Sequence, residues 1–144
     1  MPLTKILSDG LGTGVGGVDN TSTSNTEGGA ATTSVVQGLA KAWFLFDQRG
    51  SVLGANTIGD SLNITSIADT SAGLITVSIA NDMNNTTYSP TCSSTYAGNV
   101  ASQNDSRFAG PAAFAAGSYV ISSQYQNSGQ QDAFYTSAVH GDLA

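Results

Sequence analysis

Between Gly73 and Asp82 the chain reads GLITVSIAND, with Ile75, Val77 and Ile79 alternating strictly with Thr76 and Ser78. A period of two sends successive side chains to opposite faces of an extended strand, so this stretch has one apolar face and one wet face. The run before it, DSLNITSIAD (residues 60–69), is joined to it by DTSAG (69–73), whose Asp, Ser and Gly favour a tight reversal. The two runs are expected to form an antiparallel hairpin. Strand-like runs recur along the chain. In AKAWFLFD (40–47), Ala42, Phe44 and Phe46 lie on one face and Trp43 and Leu45 on the other. Apolar on both sides, it reads as a central strand covered on both faces, with Trp43, Phe44 and Phe46 as core rather than as a sugar-stacking platform. In TTYSPTCSSTY (86–96), Pro90 predicts an edge or bulged strand, because it cannot donate to a sheet ladder. GSYVISSQYQN and QDAFYTSAVHGD are expected to pair around NSGQQ (127–131), with Tyr119, Tyr125 and Tyr135 turned to solvent or to a neighbouring subunit. FAGPAAFAAG (108–117) is Ala-rich, but Pro111 limits any helix there to about one turn. The fold class expected is all-β: an antiparallel β-sandwich, jelly-roll-like.

Residues 1–37 read differently. SDGLGTGVGGVDNTSTSNTEGGAATTS (8–34) holds almost no large apolar side chains and cannot bury enough surface alone to offset the entropy of ordering. Its neighbourhood supplies only scattered anchors (Leu3, Ile6, Leu7, Leu11, Val15 and Val18). The expected organisation is an extended anchoring arm over 1–37 and one antiparallel β domain over 38–144.

The function classes narrow on charge. Only 10% of the 144 residues are charged, and the net charge is −6 with Lys5, Lys41, Arg49 and Arg107 as the only basic residues. Without a basic cluster to displace counterions from phosphate, nucleic acid is not an expected partner. Nine of the ten acids are Asp and one is Glu27, a bias toward turns and away from helices. A surface of hydroxyls and amides suits packing against further copies, since each charge buried at an interface needs a partner. MPLTKILSDG carries no secretory apolar run and no stretch reaches membrane-spanning length, so a soluble protein made in the cytoplasm is expected, with no membrane partner. Cys92, the single cysteine, can form no disulfide within the chain.

Candidate chemistry is sparse. GTGVGG places Gly12, Gly14 and Gly17 in the spacing of a dinucleotide fingerprint, yet VDNTSTSNTEGG after it cannot form the helix whose N-terminus would hold a pyrophosphate. Cys92 and His140, the only His, are the one conceivable nucleophile–base pair and too few for a zinc site. Oxygen-rich DQRGSVLGANTIGD and NDMNNTT lack the spacing of a calcium loop and read as turns. Asn63-Ile64-Thr65 is a glycosylation sequon only on a secretory route. A glycan hydrolase would need two carboxylates at a set separation, whereas the Asp residues here sit beside Gly, Asn or Ser in turn-like segments. No catalytic, cofactor-binding or metal-binding residue is assigned, and no enzyme is expected.

Taken together, AKAWFLFDQRGSVLGANTIGDSLNITSIADTSAGLITVSIANDM, YVISSQYQNSGQQDAFYTSAVHGDLA and the closing AVHGDLA resemble a β-rich domain of tailed-phage virion proteins from marine and cyanobacterial phages. The similarity rests on the Lys-Ala-Trp start and the Asp-Ser-x-Asn-x-x-Ser-Ile-x-Asp core, and covers roughly residues 38–144. The chain departs from the pattern at DQRGS and GAN, where a shorter Gly-rich link is expected. The resemblance implies a non-enzymatic, homotrimeric virion protein without cofactors. It would be a capsid decoration or head-fibre protein whose arm engages other virion proteins. The alternative is a tail-fibre or receptor-binding module that recognises a host surface glycan.

Overall fold

The structure, a computed structural model, describes residues 23–25, 32–34, 38–95, 107–126 and 129–144. Two compact units divide the chain, residues 1–39 and 40–144. In the first, β1 (Thr23–Asn25) pairs antiparallel with β2 (Thr32–Ser34). The rest of the expected arm lies outside the described residues.

The second unit is two antiparallel sheets. One has the order β4 (Thr57–Leu62), β3 (Ala42–Asp47), β11 (Phe134–His140), β7 (Ser89–Thr95). The other runs β5 (Ile64–Ser71), β6 (Leu74–Ile79), β9 (Ser118–Tyr125), β8 (Arg107–Ala115), and β10 (Gly129–Gln130) pairs with the end of β9. The apolar alternation of β6 puts Ile75, Val77 and Ile79 in the core, where they meet Tyr119 and Ile121 of β9. Phe44 and Phe46 of β3 and Tyr135 and Val139 of β11 enter the same core from the other sheet. Side chains of this size stabilise by roughly 1.5–3 kcal/mol each when removed from water, and they fix which face of each strand points inward. Hydrogen bonds join the inner faces: the Tyr119 hydroxyl donates to Ser137 Oγ at 3.0 Å, and Ser123 Oγ to Ser94 Oγ at 3.3 Å.

The hairpin expected over residues 60–82 forms as β5–β6, but its first run is broken in two. Asn63 sits at φ +57° between β4 and β5 and turns the chain from one sheet into the other. Its side chain secures the corner, donating to the carbonyls of Lys41 (3.1 Å) and Asn81 (3.2 Å) and accepting from Asn81 N (2.7 Å). At the β5–β6 turn, Gly73 has φ +68°, and a Cβ there would lie 2.4 Å from Gln131 N and 2.5 Å from the Ser123 carbonyl. Only glycine lets the later chain pass so closely over this turn.

Two expectations fail. The second hairpin does not form: β9 and β11 belong to different sheets, and the chain crosses between them after β10. The partner of β9 is β8, the segment read as at most a helical turn. Pro111 ends a helix but is tolerated in β8, which pairs with β9 alone and is irregular between Pro111 and Ala113. Pro90 behaves as expected, in the edge strand β7. The path also differs from a jelly roll's nested pairing. First and last strands of this unit pair as β3–β11, but β3–β4, β5–β6 and β8–β9 are hairpins between sequence neighbours.

Candidate interaction faces

The residues nominated for chemistry are kept apart. In the β7–β11 register Cys92 lies opposite Ser137, whereas His140 lies opposite Ser89. Positions 135, 137 and 139 point into the core, so His140, at the other parity, is on the outer face. The Cys92 thiol is within 3.6 Å of Ser137 Oγ. Burial pushes its pKa up, and the Ser137 hydrogen bond offsets only part of that, so the nucleophilic thiolate is disfavoured. Burial likewise drives the Tyr119 hydroxyl far above its ordinary range. Tyr119 and Tyr135 are buried, correcting the expectation that they face outward: their hydroxyls find Ser137 and Gln48 inside. Tyr125 is partly exposed.

Asp47 is fully buried at the end of β3, and its carboxylate is occupied by the chain itself. It accepts backbone N–H bonds from Gly50 (2.8 Å), Val52 (2.7 Å) and Leu53 (3.0 Å). Burial raises its pKa, but the amides of Leu53, Val52, Gly50 and Ser51 outweigh that and hold it below the usual carboxylate value. This carboxylate is therefore a loop anchor, not a free calcium oxygen or general acid. Beside it, Gln48 Nε2 donates to Asp69 Oδ1 (2.7 Å) and to the Ser71 carbonyl (3.1 Å), while its Oε1 accepts from the Tyr135 hydroxyl (3.0 Å). One amide thus ties β3 to β5 and β11. The loop it braces turns at Gly50, where φ is +79° and a Cβ would lie 2.5 Å from Ala55 N. The glycines at 12, 14 and 17 lie outside the described residues. Among the described residues no three His, Cys, Asp or Glu cluster as a metal site, and no helix is long and apolar enough to cross a membrane.

The unexpected feature is the outer face of the β4–β3–β11–β7 sheet. Ala42, Phe44 and Phe46 are buried as expected, but the opposite face of β3 is uncovered: Trp43 is 36% exposed and Leu45 partly exposed. The continuous apolar run was read as a strand covered on both sides, yet within one chain nothing described covers its second face. Two surfaces follow. Along the edge strand β4 and the loop before it stand Val52, Leu53 and Leu62, from 38% to 54% exposed, whereas Ile58, opposite the inward Phe46, lies on the other side of the strand. Leu53 and Leu45 both approach Gly59, and Leu62 pairs with Trp43, so this apolar strip runs onto the sheet face. The second surface is a shallow groove of about 390 Å³ across β3, β11 and β7, lined by Trp43, Leu45, Thr91, Ser93, Thr136 and Ala138. Sequence reasoning found Trp43 but not its exposure, because that depends on which strand faces the chain leaves without a covering layer.

No family model, curated protein or solved structure matches the chain.

Proposed function

We propose that this chain is a non-enzymatic structural protein of a phage virion, a homotrimeric capsid decoration or head-fibre protein. Residues 1–37 are its anchoring arm toward other virion proteins, and the β-sandwich over 38–144 is the part presented outward. The observation that carries the reading is the apolar strip of Val52, Leu53 and Leu62 along the β4 edge. Large apolar side chains gathered on one edge mark a contact surface. In a chain with so little charge, another copy can meet that strip without burying an unpaired ion. Side chains make this contact rather than strand addition: Asp60 on β4 binds the Ser61 amide at 2.8 Å and puts a charge on the edge, which discourages a further strand. The sequence resemblance supports the virion assignment. The separation of Cys92 from His140 and the engagement of Asp47 by backbone amides support a structural rather than a catalytic role.

The test is to attach a small gold label to the C-terminus and image intact phage particles that carry this protein. Label at symmetry-related points over the head is the expected result. Label confined to the tail would move the protein to the alternative, a tail-fibre or receptor-binding module. Particles without label would end the virion reading.

A further inference from the structure

We propose that Leu53, on the loop before β4, seats in the Trp43 groove of a second copy of this chain. This names the contact behind the self-association read above and rests on that reading. The outer face of the β4–β3–β11–β7 sheet is stepped. Gly59 stands where the β3–β4 register shifts, and without a side chain it leaves room for the loop to fold over β4. A Cβ at Gly59 would lie 2.6 Å from Leu53 Cδ1 and 3.0 Å from Leu45 Cδ2. Leu53 therefore adds a layer on the β4 side. Across β3, β11 and β7 no described residue adds one, and the face sinks into the groove of about 390 Å³. One chain thus presents a ridge and a hollow side by side, and a second copy facing it offers the matching pair.

Three observations favour a second copy as the occupant. The ridge is preformed: the Asp47 carboxylate holds the amides of Gly50, Val52 and Leu53, so docking freezes little backbone. Neither surface brings a charge into the contact. Residues 50–56 read GSVLGAN, and no charged side chain lines the groove, whose exposed surface is almost wholly apolar. Packing Leu53 against Trp43 then strips no ion of its water. Asp60, the charged residue of β4, is exposed and belongs to the wet rim of such a contact. Finally, ridge and groove are continuous: Leu62 lies opposite Trp43, and Leu53 and Leu45 both reach Gly59. One docking event therefore covers both, with a Trp, a side chain enriched among interface anchors, at the centre.

The single Trp of the chain reports on the contact directly. The full-length parent, Leu53→Lys and Thr136→Asp would be followed by sedimentation velocity and Trp43 emission over a dilution series, with circular dichroism to check folding. Both substituted positions are exposed in the single chain, one on the ridge and one in the groove. The parent should associate, with Trp43 emission moving to the red as dilution separates the copies. Each variant alone should weaken association by about tenfold or more and show the red emission at concentrations where the parent does not. Mixed one to one, the two variants should associate again, because the new ammonium on one copy meets the new carboxylate on the other. A parent that stays a single chain would overturn this contact together with the self-association reading. An associated parent with the same Trp43 emission as Leu53→Lys would overturn this contact alone. So would a Thr136→Asp variant that associates like the parent, or a mixture that does not re-form. Pairs rather than threes, with the emission shift, would support the contact and overturn only the trimer. Emission that responds to neutral lipid vesicles and not to protein concentration would assign the face to a membrane and overturn the proposal.

Discussion

Asp47 shows at the smallest scale how this sequence spends its few charges. The residue was legible as part of a turn, because DQRG and the glycine at 54 announce one. Its burial was not legible, since that depends on residues 50–53 folding back so that three amides converge on one carboxylate. Its folded pKa lies below its unfolded value, so its contribution to stability is complete above the unfolded pKa of about 3.9 and is lost as pH falls through the folded value. Asp47→Asn should therefore cost about 2–4 kcal/mol at pH 7 in urea unfolding. The variant should also show a smaller loss of stability than the parent between pH 5 and pH 2. Tyr135→Phe strands Gln48 Oε1 in a buried site and should cost about 1–2 kcal/mol by the same measurement. The burial of Tyr119 and Tyr135 escaped the sequence reading for a related reason: their polar partners, Ser137 and Gln48, are distant from them in sequence.

At the level of elements, period two identified most strands, and β5–β6 was readable because its turn chemistry and alternation agree. Pairing was harder to read. The segment before β9 looked like a broken helix since Ala and Pro111 say little about strands, yet as an edge strand β8 tolerates both. Without β8, the final strand seemed the natural partner for β9. The β4–β5 corner was hidden in one apparently continuous run, because a single Asn at positive φ suffices to change sheets. Asn63→Ala should lose both that conformational tolerance and the side-chain bonds to Lys41 and Asn81, about 2–4 kcal/mol in thermal or urea unfolding. Asn63→Gly keeps the conformation and should lose less. Equal losses for the two variants would mean that backbone geometry contributes nothing at this corner.

For the whole molecule, the sequence announced an all-β domain with a low-charge surface, and it placed the inward face of β3 correctly. What it could not reveal was which outward faces stay uncovered, because both faces of β3 are apolar in sequence and only the layer count separates them. On that uncovered side the exposed apolar residues of the β4 edge run on to Trp43 and Leu45. Replacing Leu53 and Leu62 by Asp puts charge on the strip at positions already exposed, so it should disrupt association without unfolding the domain. The most direct measurement is the solution mass of the full-length chain by sedimentation velocity at micromolar concentration, beside the Leu53→Asp/Leu62→Asp variant. The account predicts three chain masses for the parent and one for the variant, with matching circular dichroism. A parent that sediments only as a single chain, or a variant that still associates, would contradict it.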